Sequence, residues 1–153
     1  ELLLKLWRLL YESIQITDCG PVSGHSAQTQ AKLQIMMQYI HDNYSGQITL
    51  DDIARTVLIS KSSVLNIFRT YLHTSPINYV VEYRLKRASK LLVDTENSVC
   101  TIAQETGFEN IGYFCRKFKK LYGVTPINYR KHCRSAERNS MRNIHSDTNI
   151  LSG

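Results

Sequence analysis

Residues 102–130, IAQETGFENIGYFCRKFKKLYGVTPINYR, end in a tetrapeptide, Pro126-Ile127-Asn128-Tyr129, that has already occurred as Pro76-Ile77-Asn78-Tyr79, 50 positions earlier. Each copy closes the same kind of passage: an Ile-Ala pair (Ile53-Ala54, then Ile102-Ala103), followed by a helically patterned run with a core-type phenylalanine (Phe68, Phe118). The step from Ile to Phe is 15 residues in the first copy and 16 in the second, so a loop has changed length while the helices have not. Solenoids and propellers need at least three copies to bury their faces. Two copies predict a pair of related helical subdomains.

In the first copy, Thr49 is placed to cap a short helix over Leu50 to Val57, with Asp51 and Asp52 in the first turn, where the helix dipole favours negative charge. Asp52 stands at capping-box spacing from Thr49. Leu58-Ile59 makes a turn, and Ser60 caps a second helix to about Leu72 that buries Val64, Ile67, Phe68 and Tyr71. Two helices joined by so short a turn form a helix-turn-helix, whose second helix enters the major groove of DNA. Its outward face carries Lys61, Ser62, Leu65, Asn66 and Arg69.

In the second copy, Ser98 or Thr101 caps a helix through Glu105, Gly107 supplies a left-handed turn, and Phe108 takes the place of Ile59. A helix from about Asn110 to Tyr122 then turns Phe114, Phe118 and Leu121 inward, and Ile111, Gly112, Cys115, Arg116, Lys119 and Lys120 outward. Gly123 stops it, and Thr125 caps a last helix from Pro126. The aromatic residues Phe68, Phe114, Phe118, Tyr79 and Tyr129 are at core spacing.

Between the copies, Thr74-Ser75 cap a helix that opens on Pro76, where the missing N–H costs nothing. It runs to about Leu92, burying Val80, Leu85, Ala88, Leu91 and Leu92 and exposing Arg84, Lys86, Arg87 and Lys90. Some 17 residues make a rod of about 25 Å. With a unit packed at each end, the two reading helices could lie about one duplex turn, roughly 34 Å, apart.

Residues 2–16 read as an amphipathic helix with Leu3, Leu6, Trp7, Leu10 and Ile14 on one face, suited to a dimer or domain contact or to packing on its own domain. Glu1 in place of an initiator methionine fits the C-terminal part of a longer chain. The expected fold class is all-α: two helix-turn-helix subdomains joined by a long linking helix, with an extra N-terminal amphipathic helix. The expected order is helix 1–16, linker 17–26, first subdomain 27–75, linking helix 76–93, second subdomain 94–134 and flexible tail 135–153.

The net charge of +6 is unevenly spread. From Lys61 to Arg142 there are fifteen Lys or Arg against six Asp or Glu, whereas residues 1–60 hold four against six. A merely solvated surface would mix the signs more evenly, so the duplicated region is suited to a polyanion. Cys19, Cys100, Cys115 and Cys133 lack metal-ligand spacing and read as reduced thiols of a cytoplasmic protein. The apolar run at the start is too short and too charged for a membrane span. Nothing in the sequence groups a nucleophile with a base, gathers metal ligands or makes a phosphate-cradling glycine loop, so neither an enzyme nor a cofactor is expected.

Gly107-Phe108, Tyr113-Phe114, Arg116, Phe118-Lys119, Gly123, Thr125-Pro126 and Tyr129-Arg130 together resemble the signature of the AraC/XylS family of bacterial transcription regulators. Ile53-Ala54, Ser60, Phe68, Arg84, Ala88 and Leu91-Leu92 extend the resemblance, which covers about Ala31 to Arg134. One departure is Gly112, where the family usually has Ser. The resemblance implies a sequence-specific, double-stranded DNA-binding transcriptional regulator, an activator, located in the cytoplasm at the nucleoid. By correspondence, Ser62, Leu65, Asn66, Ile111, Cys115 and Arg116 would face base edges, and Ser60, Lys61, Arg69, Lys119 and Lys120 would face phosphates. The opening helix resembles the end of a cupin-type sensor domain. That implies a homodimer through this helix and the missing sensor, a small-molecule effector bound outside this segment, and contact with RNA polymerase. The contrasting expectation is a basic helical protein-interaction module without sequence-specific DNA binding.

Overall fold

The computed structural model describes residues 24–147, and the side chains of residues 27–136. The helix expected over 1–16 and most of the 17–26 linker lie outside the described residues. The chain divides into two units between Lys32 and Leu33, and the duplicated region lies wholly in the second. Seven helices and no strand are found among the described residues: α1 Gly24–Asn43, α2 Leu50–Thr56, α3 Lys61–Leu72, α4 Pro76–Asp94, α5 Val99–Glu105, α6 Ile111–Tyr122 and α7 Pro126–Asp147.

Two apolar cores account for this order. Leu33, Met36 and Ile40 of α1, Ile53 and Ala54 of α2, Val64 and Phe68 of α3 and Val80 of α4 form the first. Leu85, Ala88 and Leu92 of α4, Ile102 and Ala103 of α5, and Phe108, Phe114 and Phe118 form the second. The first half of α4 thus belongs to one core and the second half to the other. Phe68 and Phe118 are fully buried, and each such side chain contributes about 1.5–3 kcal/mol.

The repeated tetrapeptide has a packing role. Its final tyrosine meets the core phenylalanine edge-on in both copies: Tyr79 with Phe68 at 5.7 Å and 72°, Tyr129 with Phe118 at 5.4 Å and 81°. Such edge-to-face pairs contribute about 0.5–1.5 kcal/mol beyond area burial.

The helix ends follow from local chemistry. Asp52 N–H donates to Thr49 Oγ1 at 3.2 Å while Thr49 N–H donates to Asp52 Oδ2 at 2.9 Å, completing the capping box. Ser60, Ser75, Ser98 and Asn110 accept from the N–H three residues on. The turn inside each helix-turn-helix is closed alike, by Ile59 N–H to Ala54 O at 3.2 Å and Phe108 N–H to Ala103 O at 2.9 Å.

Three expectations are corrected. Tyr71 and Leu121 (49% exposed) point outward; the inward position in the last turn belongs to Leu72 and Tyr122, four residues after the core phenylalanine, where a helical side chain shares its face. Residues 135–147, expected as a flexible tail, continue α7. A helix bonds along its own backbone without an apolar face, and Ala136, Glu137, Arg138, Met141 and Arg142 are strong helix formers. Arg84, expected on the solvent face of α4, is half buried: its Nε–H and Nη2–H donate to the carbonyls of Tyr44 and Gly46, both at 2.7 Å.

Candidate nucleic-acid interface

Each helix-turn-helix presents its second helix, α3 or α6, with one face sunk in the core and the other free. On α3, Val64 and Phe68 are buried, which leaves Ser62, Leu65 (40%), Asn66 and Arg69 exposed. On α6, Phe114 and Phe118 are buried, and Ile111 (44%), Arg116, Lys119 and Lys120 are exposed. Neither helix contains an acidic residue, whereas α2 carries Asp51 and Asp52 and α5 ends on Glu105. Within each helix-turn-helix, the helical carboxylates thus lie on the first helix and none on the second.

The free cations differ between the copies. Arg116, Lys119, Lys120 and Arg69 have no ion-pair partner among the described residues, so their charge is available to a ligand. Lys61 pairs with Asp51 at 3.2 Å, and Asp51 also holds Arg55 at 3.1 Å. Exposed pairs of this kind contribute only about 0.2–1 kcal/mol, so a phosphate can compete for Lys61. Lys117 lies over the Tyr113 ring at 5.4 Å. Arg130 and Arg134 are tied inward: Arg130 donates to the Leu92 and Asn97 carbonyls, and Arg134 to Thr95 O at 2.8 Å and to Glu96 at 2.9 Å. That last contact lowers the pKa of Glu96.

Among the residues expected at base edges, five are exposed and Cys115 is not fully so. It is half buried against the second core, because it adjoins the buried Phe114. Ser60 spends its hydroxyl on the α3 cap, accepting from Ser63 N–H at 3.2 Å and lying 2.9 Å from Ser63 Oγ. At the start of α6, Gly112 makes room for the cap: a Cβ there would sit 3.2 Å from Asn110 Oδ1. Asn110 in turn accepts from Tyr113 N–H at 2.8 Å.

Sequence reasoning missed the aromatic seam behind the first unit. His41 lies 2.9 Å from Tyr79 Oη and stacks on Tyr83 at 4.1 Å; Tyr44 meets Tyr83 edge-on, and Arg87 lies over the Tyr44 ring. Aromatic residues at i and i+4 on α4 (Tyr79, Tyr83), opposite His41 and Tyr44 on the preceding helix pattern, were the available signal. No group of three or more His, Cys, Asp or Glu able to hold a metal occurs among the described residues. The open cleft lined by Leu65, Arg69, His73, Thr74, Ser75 and Asn78 contains no nucleophile paired with a base and is continuous with the exposed face of α3.

A family profile described as a helix-turn-helix domain matches residues 53–132. An uncharacterized HTH-type transcriptional regulator, YdeC of Bacillus subtilis, is 33% identical over 100 residues, which are 65% of this chain and 34% of the relative. The lactose operon transcription activator of Staphylococcus xylosus is 30% identical over 100 residues, 65% of this chain and 36% of the relative. The chain thus spans about a third of the length of these two relatives. Among solved structures, a transcriptional regulator of the AraC-type DNA-binding domain-containing proteins from Chromobacterium violaceum superposes with a TM-score of 0.66 at 31% identity, covering 70% of this chain and 96% of that one.

Proposed function

Since the chain belongs to the AraC-type helix-turn-helix domain family, we propose that it is the DNA-reading region of a transcriptional regulator, binding double-stranded DNA sequence-specifically through two reading helices. The observation that carries this is the pair of acid-free helices, α3 exposing Arg69 beside Leu65 and Asn66, and α6 exposing Arg116, Lys119 and Lys120 beside Ile111. Arg69, Lys119 and Lys120 neutralise phosphates, with Lys61 exchanging Asp51 for one, and so supply affinity without sequence information. Ser60 contributes to phosphate only from the rim of its cap. Ser62, Leu65 and Asn66 on α3, and Ile111 and Arg116 with the edge of Cys115 on α6, read bases. Arg116 donates to guanine O6 and N7, Asn66 is bidentate to adenine, and Leu65 and Ile111 touch thymine methyls.

The regulator activates transcription, in keeping with the role of the lactose operon transcription activator of Staphylococcus xylosus. Homodimerisation through the N-terminal helix and a cupin-type sensor, a small-molecule effector bound outside this segment, and contact with RNA polymerase belong to the same proposal.

The test is fluorescence anisotropy on a selected duplex and its single-base variants. Arg116→Ala is expected to lose about 1–3 kcal/mol of discrimination at one base pair, with the other positions unchanged. Equal binding of the wild type and Arg116→Ala across every base variant would refute the assignment. Binding that depends on salt but never on sequence would favour the interaction-module reading instead.

A further inference from the structure

Arg84 lies on α4 between Val80 of the first core and Leu85 of the second, where the two helix-turn-helix units meet. Its guanidinium donates to Tyr44 O and Gly46 O, the carbonyls of the loop between α1 and α2. The same group lies over the ring of Phe108, 5.9 Å from its centroid, in the turn between α5 and α6. Gly107 permits this approach. A Cβ at that position would sit 2.8 Å from Tyr44 O and 2.9 Å from Arg84 Nε, so the loop of the first unit and the turn of the second touch with no room for a side chain. Beside them, Gln47 Nε2 donates to Glu109 Oε1 at 3.1 Å and joins the same loop to the same turn. Arg130 also grips carbonyls, but those of Leu92 and Asn97 lie at the end of α4 and in the loop that follows it, within the second unit.

A single helix holds two bodies at a distance, yet it leaves them free to rock about its axis. A lateral tie off that axis removes the freedom. We propose that Arg84 is the positioning residue that locks the Tyr44–Gly46 loop onto the Gly107-Phe108 turn, and so fixes the spacing at which α3 and α6 engage DNA. This rests on the DNA-reading function proposed above. Inserting one base pair between two half-sites moves the second by about 3.4 Å and turns it by about 34°. A locked pair cannot follow such a displacement, whereas a loosened pair can, because its second binding event draws on a broader range of geometries at lower effective concentration.

The experiment uses the full chain, wild type and Arg84→Gln, with two readouts. Spin labels on exposed Thr70 of α3 and Lys120 of α6, in a chain whose native cysteines are replaced, report the distance distribution without DNA. Affinities are then measured for a selected two-half-site duplex, for the same duplex with one or two inserted base pairs, and for a single half-site. One inserted base pair is expected to cost the wild type about tenfold or more and Arg84→Gln about threefold or less, while single half-site affinity stays the same and the label distances broaden. Label distances as narrow as in the wild type, or an unchanged spacing penalty, overturn the lock. So does a fall in single half-site affinity equal to the whole loss, which would mark Arg84 as merely structural. Should Arg84→Gln fail to fold, Arg84→Lys, which keeps the charge but cannot donate to the Tyr44 and Gly46 carbonyls from two nitrogens at once, takes its place: broadened label distances are expected, and distances as narrow as in the wild type overturn the lock. If the wild type selects no duplex at all, the DNA-reading function fails, and the label distances alone decide the lock.

Discussion

Leu58 and His73 hold left-handed backbone, φ 52° each, at the places where the second copy has Gly107 and Gly123 at φ 85° and 79°. A non-glycine residue there costs about 1–2 kcal/mol, and Leu58, 91% exposed, gains little burial in return. Leu58→Gly is therefore expected to stabilise the protein by about 0.5–1 kcal/mol after the extra chain entropy of glycine is subtracted, read as a higher urea midpoint. A lower midpoint would mean that the Leu58 side chain has a partner. His41 gives a pH dependence. Burial first, with Lys86 adding to it, lowers its pKa, and Asp42 opposes them. The folded state thus takes up its proton at lower pH than the unfolded chain, whose imidazole titrates near 6.5. Stability held above about pH 6.5 is lost as the pH falls below it. His41→Gln should flatten the decline in melting temperature between pH 7 and 5, and parallel curves would show that another group is responsible. Lys119 touches no base in the proposed arrangement, so Lys119→Ala should weaken all duplexes alike and reduce the salt slope by about 1. Sequence-selective loss would mean that α6 is rotated from its proposed setting.

At the scale of elements, α4 has the widest consequences, because its Val80 end and its Leu85–Leu92 end complete different cores. Its 19 residues make a rod of about 28 Å. A cavity in one core should therefore be felt in the other. Phe118→Ala, at about 3–5 kcal/mol, is expected to lower hydrogen-exchange protection in α3 as well as in α6; loss confined to α5, α6 and α7 would show two independently stable units. The helices themselves were legible from the sequence, since caps at Thr49, Ser60, Ser75 and Ser98 and the period of the buried residues are local signals. Two features were not. Tyr71 and Leu121 follow Phe68 and Phe118 by three residues, Leu72 and Tyr122 follow them by four, and both steps fall on the buried face of a helix, so the pattern alone does not choose between them; the extension of α7 depends on backbone bonding that composition does not register. Of the candidate site, the exposed cations could be read from helical spacing. Cys115 could not, because a residue at the margin of a helical face is turned in or out by the packing of its partner helix. Arg84 was misread for a related reason: its acceptors, Tyr44 O and Gly46 O, are main-chain atoms some forty residues away, and carbonyls carry no sequence signature.

Over the whole molecule, the second helix-turn-helix carries the stronger electrostatic footing. α6 has Arg116, Lys117, Lys119 and Lys120, whereas α3 has Lys61 and Arg69, the former shared with Asp51. Non-specific affinity and its salt dependence should accordingly fall further when cations are removed from α6 than from α3. In the proposed arrangement, one protomer spans two adjacent major-groove segments, with the second helix-turn-helix anchoring and both reading. Selection of bound duplexes from a random pool, followed by affinity measurement on the enriched sequence, tests this most directly. Two blocks of base preference are predicted, with centres about 10–10.5 base pairs apart, and Arg116→Ala should erase preference at one base pair of one block and leave the other block unchanged. A single block, or no enrichment over the starting pool, would contradict it.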